Sequence, residues 1–392
     1  MFCVWYCEIV INVYVYISDF NFFKNNSRKE RRMKKKILSV ICMMVFVLLL
    51  SFSFSYAGSK KGGAKEEVAP KIGYITRLSV PWWIVCEEGF RDAGADLGFK
   101  PVVYHPPELT VEDQVRVMES WVAAGLDGIF IGPNDPAAPI GVINEAIAAG
   151  IPVLCGYGVD SPDSNRLLFV GYDPYDLGVA LGKGLLSSLE RAGVKPPGRV
   201  SYHTGGMAST EDVASLDGFK KAVEGAGYKV IEPILDGGDP AKAMALAREA
   251  IDLYPDLVGM LGYYDYTGPA LGKAVTDAKK TDKIVVQADG LIGEMVPYFE
   301  NGAIDATIDL VQYDGSYLAG EILFELSKTD KANWDSVIKK YKPEYPGDKE
   351  LLLGVGYVTY KKVNVQKWPE IDWIMTLEEH QKKYPDAWEI MK

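Results

Sequence analysis

The stretch Lys71–His105 reads KIGYITRLSVPWWIVCEEGFRDAGADLGFKPVVYH. Its first apolar run, Ile72–Thr76, predicts a strand. Arg77-Leu78-Ser79-Val80 is a loop, and Pro81-Trp82-Trp83 follows it. Ile84, Val85, Glu88, Ala95 and Leu97 then recur at mixed three- and four-residue spacing until Gly98, a helical pattern with a stop signal. A second strand, Pro101–His105, completes a β-α-β unit. Ligands of such units bind outside the carboxyl ends of the strands, which is where Arg77, Trp82 and Trp83 fall. Proline in a first helical turn is pre-set for that position and gives up no needed donor. Pro81 therefore fixes the helix start and places the two indoles near a cleft mouth. The alternative is that one or both simply pack the lobe.

Outward from this unit the pattern repeats. Strands are expected at Val102–Tyr104, Asp127–Ile131, Ile151–Cys155 and Leu167–Val170. The intervening helices are Val111–Ala124 and Pro136–Ala149, followed by Pro174–Arg191. After Lys195-Pro196-Pro197-Gly198 the alternation restarts at Arg199–Tyr202. It continues through Ile304–Ile308, includes a helix at Leu291–Asn301, and ends in a helix at Asp314–Ser327. Strand-helix alternation means parallel sheets covered by helices. The number of strands is too large for one open sheet of usual width. The fold class is α/β, with two doubly wound parallel-sheet lobes. In the tail, Trp334-Asp335-Ser336 opens a short helix and Gly354–Tyr360 is a final strand. Trp368, Trp373 and Trp388 with Ile371, Ile374, Leu377 and Ile390 predict one more helix.

The chain has 392 residues and 48% apolar content, enough for two domains with real cores. Residues 1–32 are read as a misassigned extension, because a well-formed secretory signal starts at Met33. Met33-Lys34-Lys35-Lys36 is its basic region, Ile37–Leu50 its apolar region, and Ser55-Tyr56-Ala57 its cleavage site. Residues 33–57 are then the signal peptide and 58–70 a flexible leader. The apolar run is short for a membrane span. Eight of the 42 Lys/Arg and three of the 53 Asp/Glu precede Gly58, so the remainder carries 34 basic against 50 acidic residues, net −16. Such a surface argues against nucleic acid and anionic membrane as partners. Beyond the signal only Cys86 and Cys155 remain, read as buried free thiols, with a bridge left open. His105, His203 and His380 give no metal-ligand spacing, and no cofactor loop follows the first strand.

Several short motifs stand in a telling order. They are Pro81-Trp82-Trp83, Ile131-Gly132-Pro133-Asn134-Asp135, Ala149-Gly150-Ile151-Pro152-Val153 and Val170-Gly171-Tyr172-Asp173. Asp217-Gly218-Phe219, Ala288-Asp289-Gly290 and Gly302-Ala303-Ile304-Asp305-Ala306-Thr307 complete them. In this order and spacing, behind a signal peptide, the chain resembles the type I periplasmic solute-binding proteins of sugar ABC importers, the ribose- and arabinose-binding group. The resemblance runs from Lys71 to about Ser327. It implies two lobes joined by a three-crossing hinge, with residues 71–172 and 311–352 in the N-lobe and 173–310 and 353–392 in the C-lobe. It further implies a periplasmic, monomeric, non-enzymatic binder without cofactor. Such a binder closes on a monosaccharide or cyclic polyol and delivers it to a membrane permease.

Carried over residue by residue, Trp82 and Trp83 match stacking aromatics and Arg77 a basic sugar ligand. Asp135 and Asp289 match hydroxyl-binding acids at strand ends. Trp stacks on the apolar face of a sugar while charged groups bond its hydroxyl rim. Asp135 before Pro136 also reads as a helix cap, Asp289 before Gly290 as a turn residue, and Arg77 as a salt-bridge partner. The C-lobe departs from the family. Thr210–Leu216 lacks the usual Arg, and Tyr263-Tyr264-Asp265-Tyr266 replaces the usual Asn-Asp. The usual Gln is displaced, leaving Asp309 and Gln312 as the polar candidates there. With Tyr264 and Asp265, these make an aromatic and acidic wall. It suits a sugar or polyol and also fits a cationic metabolite. A chemoreceptor on the same fold is not separable from a transport protein by sequence. A dehydrogenase or hydrolase lacks its glycine loop, nucleophile elbow or His-centred triad.

Overall fold

The computed structural model describes residues 68–108, 110–157, 159–362 and 368–390. The expectations for residues 1–67 lie outside the described residues. In the first half β1 (Lys71–Ile75), α1 (Pro81–Leu97), β2 (Lys100–Tyr104), α2 (Val111–Ala123) and β3 (Gly128–Ile131) alternate. They lead on to α3 (Ile140–Ala148), β4 (Val153–Gly156) and β5 (Leu168–Gly171). The second half opens with α4 (Pro174–Arg191), β6 (Arg199–Thr204) and α5 (Thr210–Gly225). Short strands β7 (Lys229–Val230) and β8 (Ile234–Leu235) and helix α6 (Pro240–Leu253) follow. Then come β9 (Leu257–Gly262), α7 (Thr267–Asp277), β10 (Val285–Asp289), α8 (Val296–Glu300) and β11 (Ile304–Asp309). The chain continues through α9 (Gln312–Ser327), α10 (Trp334–Tyr341), β12 (Glu350–Leu352), β13 (Val355–Thr359) and β14 (Ile371–Thr376). Helices α11 (Leu377–Lys383) and α12 (Pro385–Ile390) close it.

Two sheets result. The first has the order β12-β5-β4-β3-β1-β2, with every pairing parallel. The second has the order β14-β13-β11-β10-β9-β6-β7, with β8 beside β6, and only β13 runs antiparallel to its neighbour β11. The chain passes between the sheets three times: from β5 into α4, from β11 into α9, and from β12 into β13. Both faces of the first sheet are buried, as parallel sheets require. Tyr74 packs on Phe90 and Phe130 on one face, while Ile75 joins Met118 and Ile131 on the other.

Helix α1 begins where Val80 is extended and Pro81 takes the first helical position. It ends where Gly98, at φ 90°, donates its N–H to Gly94 O at 2.9 Å. Its buried face carries Trp83, Cys86, Phe90 and Ala93 at helical spacing. Glycine lets α1 and α9 touch: a Cβ at Gly89 would collide with the carbonyl oxygen of Tyr313. Gly178 of α4 serves the same purpose against Ser215 of α5. The paired lobes thus use the same close helix crossing. Cys86 and Cys155 are free and buried, and burial pushes the Cys155 thiol up to about 12.

Three expected helices differ. The one from Pro136 starts only at Ile140, because Pro139 disfavours helical backbone in Ala138 before it. The one from Leu291 is a 3-10 turn, Gly293–Met295, followed by the single turn and a half of α8. The tail segment around Trp373 is a strand. Ile371–Thr376 pairs in parallel with Val355–Thr359, and Gly356 leaves room for the Trp373 indole across the pair. A neighbouring edge strand overrides a pattern that fits helix equally well. No described helix is long and apolar enough to cross a membrane.

Candidate functional site

The candidate residues follow the carboxyl ends of strands in both sheets, where ligands of parallel sheets bind. Arg77 leaves the end of β1. Its Nε donates to Asn134 Oδ1, beyond β3, at 3.0 Å. Its Nη1 lies 3.7 Å from Glu211 Oε2, at the start of α5, and each side chain is about a quarter exposed. This ion pair spans the two lobes. Trp82 spans them too: half-buried, it packs against the apolar clusters of both sheets. It meets Trp83 edge-on at 4.7 Å and Tyr157 at 5.6 Å.

Trp83 is different. It is only 8% exposed and belongs to the N-lobe core with Tyr74, Cys86 and Phe90. Successive helix residues point about 100° apart, so one indole stays partly exposed between the two clusters while the other enters the core. Asp135 accepts the backbone N–H groups of Ala137 and Ala138 at 2.9 and 2.8 Å, a capping role at the turn before α3.

On the C-lobe side Tyr264 is the centre. Its hydroxyl donates to Asp212 Oδ1 at 2.6 Å, and its backbone N–H points to Asp289 Oδ2 at 3.5 Å. Its ring lies parallel to that of Tyr266, 6.2 Å away. Asp212 is held by a capping box, accepting from Ser209 N while Ser209 Oγ accepts from Asp212 N at 3.0 Å. Asp265 accepts from Tyr266 N at 2.8 Å, and its Cβ sits against Gly290. Asp289 is 4% exposed; burial pushes its carboxyl up to about 7, against the pull of the Tyr264 and Gly290 N–H groups. Burial also raises Asp265, and it raises Glu211 despite the Arg77 charge. Tyr172, at the first crossing, is raised by burial and then by the charges of Glu211 and Asp289.

Asp309 is committed elsewhere. One oxygen accepts from Val311 N at 2.9 Å, and the other meets His380 Nε2 at 2.6 Å. Trp388 Nε1 donates to His380 Nδ1 at 2.9 Å, so the proton on Nε2 belongs to the Asp309 bond. The tail thereby engages a carboxylate at the hinge. Gln312, 5% exposed, starts α9; its Oε1 is buried without a hydrogen-bond partner among the described residues, as is Asn134 Nδ2. Three of the four described non-glycine residues with positive φ are Tyr157 (48°), Tyr264 (80°) and Val311 (49°), all at strand ends of this region. Tyr157 donates to Val311 O at 3.0 Å, tying two of them together. Such backbone clusters at binding and switch sites.

Asn134 stands in a quoted motif without a role, and Tyr157, Glu211 and Asp212 escape a reading by motif. Glu211 lies in the Thr210–Leu216 segment that lacks the usual Arg, and only its approach to Arg77 gives it a role. Elsewhere Glu88, Asp92 and Asp386 bring carboxylate oxygens within 4.8 Å of one another, a grouping that His and Cys spacing does not reveal.

The family model of the periplasmic binding protein domain matches residues 74–331, more than half of the chain. The chain belongs to that family. Members of the family are binding proteins. The D-ribose/D-allose-binding protein of Pseudomonas aeruginosa is 26% identical over 210 residues, 52% of this chain and 63% of the relative. The match thus spans less than two thirds of that relative's length. Among solved structures, the arabinose-binding protein AraP of Geobacillus stearothermophilus is 22% identical with a TM-score of 0.62, covering 74% of this chain and 97% of its own. An ABC transporter periplasmic solute-binding protein of Actinobacillus succinogenes with bound D-allose gives 20% and 0.63, over 74% and 97%. These share the type I fold of this periplasmic binding protein.

Proposed function

We propose that this periplasmic binding protein is the extracytoplasmic solute-binding component of an ABC importer. It takes a monosaccharide or cyclic polyol between its lobes and hands it to a membrane permease, without chemistry of its own. The observation that carries the reading is a pair of unsatisfied amide groups at the strand ends. Asn134 Nδ2 is a donor and Gln312 Oε1 an acceptor, both buried without partners among the described residues. A buried polar group left unpaired costs about 1–3 kcal/mol, and a sugar hydroxyl, which donates and accepts, satisfies either kind. Trp82 supplies the apolar face that a sugar ring needs. Relatives described as binding ribose, allose and arabinose support the ligand class.

In this reading the N-lobe comprises residues 71–172 and 311–352, and the C-lobe 173–310 and 353–392. The ligand-binding set is Arg77, Trp82, Asn134, Tyr264, Asp265, Asp289 and Gln312, with Trp83 and Asp309 as supports. Closure is a shift of an open-closed equilibrium by a ligand that touches both lobes. A thermal-shift screen of pentoses, hexoses and inositols tests it. A ligand at a hundred times its Kd stabilises by about 2.7 kcal/mol, so the right sugar should raise Tm by several degrees. Small-angle scattering should then show a more compact particle with that sugar. A panel that stabilises nothing ends the carbohydrate reading, and a bound sugar that leaves the scattering curve unchanged ends the hinge mechanism.

Export follows from Met33–Ala57. Secreted protein should begin at Gly58 by N-terminal sequencing; a mature product that retains Met33 contradicts the cleaved signal.

A further inference from the structure

We infer that the cleft is built for a carbohydrate that carries a free amino group, with its ammonium held among Glu211, Asp289 and Asp265 while its hydroxyls face Asn134 and Gln312. The inference rests on the carbohydrate reading above and narrows it.

Glu211 and Asp212 open α5, Asp265 follows β9, and Asp289 ends β10. All four gather around Tyr264 and Tyr172. Asp212 holds the Tyr264 hydroxyl, Asp289 faces its backbone N–H, and Asp265 touches Gly290 next to Asp289. The charges of Glu211 and Asp289 both act on the hydroxyl of the half-buried Tyr172. Among the described residues, Arg77 is the one cation within salt-bridge distance of any of them, and it reaches only Glu211, at 3.7 Å. Its Nε is already spent on Asn134. Glu294 adds a further negative charge beside Asp265, and Asp309 another beside Asp289.

A neutral sugar closing this cleft would seal several carboxylates away from water with one guanidinium to balance them. Unpaired charge in a closed interior is costly. The raised titration of Asp289, Glu211 and Asp265 is the same cost seen from the protein. An ammonium group removes it and adds charge-assisted hydrogen bonds to the carboxylates. The aromatic rings of Trp82, Tyr264 and Tyr266 favour a cation further. Sugar phosphates and sugar acids are excluded by the same charges.

Titration calorimetry at neutral pH decides it, using D-glucosamine, D-galactosamine and D-mannosamine beside D-glucose, D-galactose and D-mannose, with N-acetyl-D-glucosamine as a third class. At least one free amine should bind about tenfold or more tightly than its parent sugar, the difference one charge-assisted contact provides. N-acetylation, which removes the charge, should abolish that gain. Glu211→Gln, at a helix start with partial exposure, should reduce the preference without loss of folding, and Asp289→Asn should reduce it more. Parent sugars binding as tightly as the amines, or a preference unchanged in Glu211→Gln and Asp289→Asn alike, overturns the inference and leaves the sugar-binding reading standing. Binding of none of these sugars also overturns the inference, while the carbohydrate reading falls only if the pentose, hexose and inositol screen is negative too.

Discussion

Replacing Trp83 by alanine should lower the stability of the folded chain by about 3–5 kcal/mol, the cost of truncating a buried aromatic to alanine. The side chain is 8% exposed and lies among Tyr74, Cys86 and Phe90, all completely buried. Its ring edge also presses on Gly132: a Cβ there would sit 3.0 Å from Trp83 Cη2. The surroundings are fixed by two strands and two helices, so they relax little into the space left behind. Denaturant unfolding followed by far-UV circular dichroism measures the loss, with the slope m unchanged if only stability is affected. The fraction that remains folded should bind its ligand with near-normal affinity. Wild-type stability in this variant, combined with lost affinity, would place Trp83 in the cleft instead of the core.

The Trp pair illustrates what a sequence carries and what it does not. Pro81 and the apolar run before it fix a strand, a loop and a helix start, because proline geometry and strand-helix alternation are local properties. They predict both indoles near a cleft mouth. They do not say which of two adjacent helix residues turns inward, since that depends on where α9 and β3 lie. The same limit explains the tail. Ile371–Thr376 is rich in β-branched and aromatic residues and also fits a helical stripe. Only the vacant edge of Val355–Thr359 and the space over Gly356 settle it as a strand. Asp309 reads as a cleft acid because its position matches, yet its partner His380 is 71 residues away, beyond any local signal. Glu211 is visible only as a departure from an expected Arg. Its significance comes from Arg77, on the other lobe. Where the reading succeeds, the information is periodic and local, and where it fails a tertiary contact takes over a side chain that local chemistry leaves free.

Trp82→Ala should divide the other way. The indole is half-buried and packs on both lobes, edge-on to Tyr157. Truncation removes the apolar face that the proposed sugar ring needs and one of the surfaces through which the lobes meet. An aromatic anchor that a bound ligand covers contributes about 2 kcal/mol or more to binding, so affinity should fall by about thirtyfold or more. Stability should fall less than in Trp83→Ala, because a residue that faces an opening cleft leaves no sealed cavity when the lobes part. Ligand-induced change in tryptophan fluorescence should largely vanish in Trp82→Ala and persist in a conservative Trp83→Phe variant. Compaction measured by small-angle scattering should still occur once ligand is raised enough to saturate the weakened site. Unchanged affinity in folded Trp82→Ala protein, or a fluorescence response that survives it, would show that the ligand does not lie against this side chain.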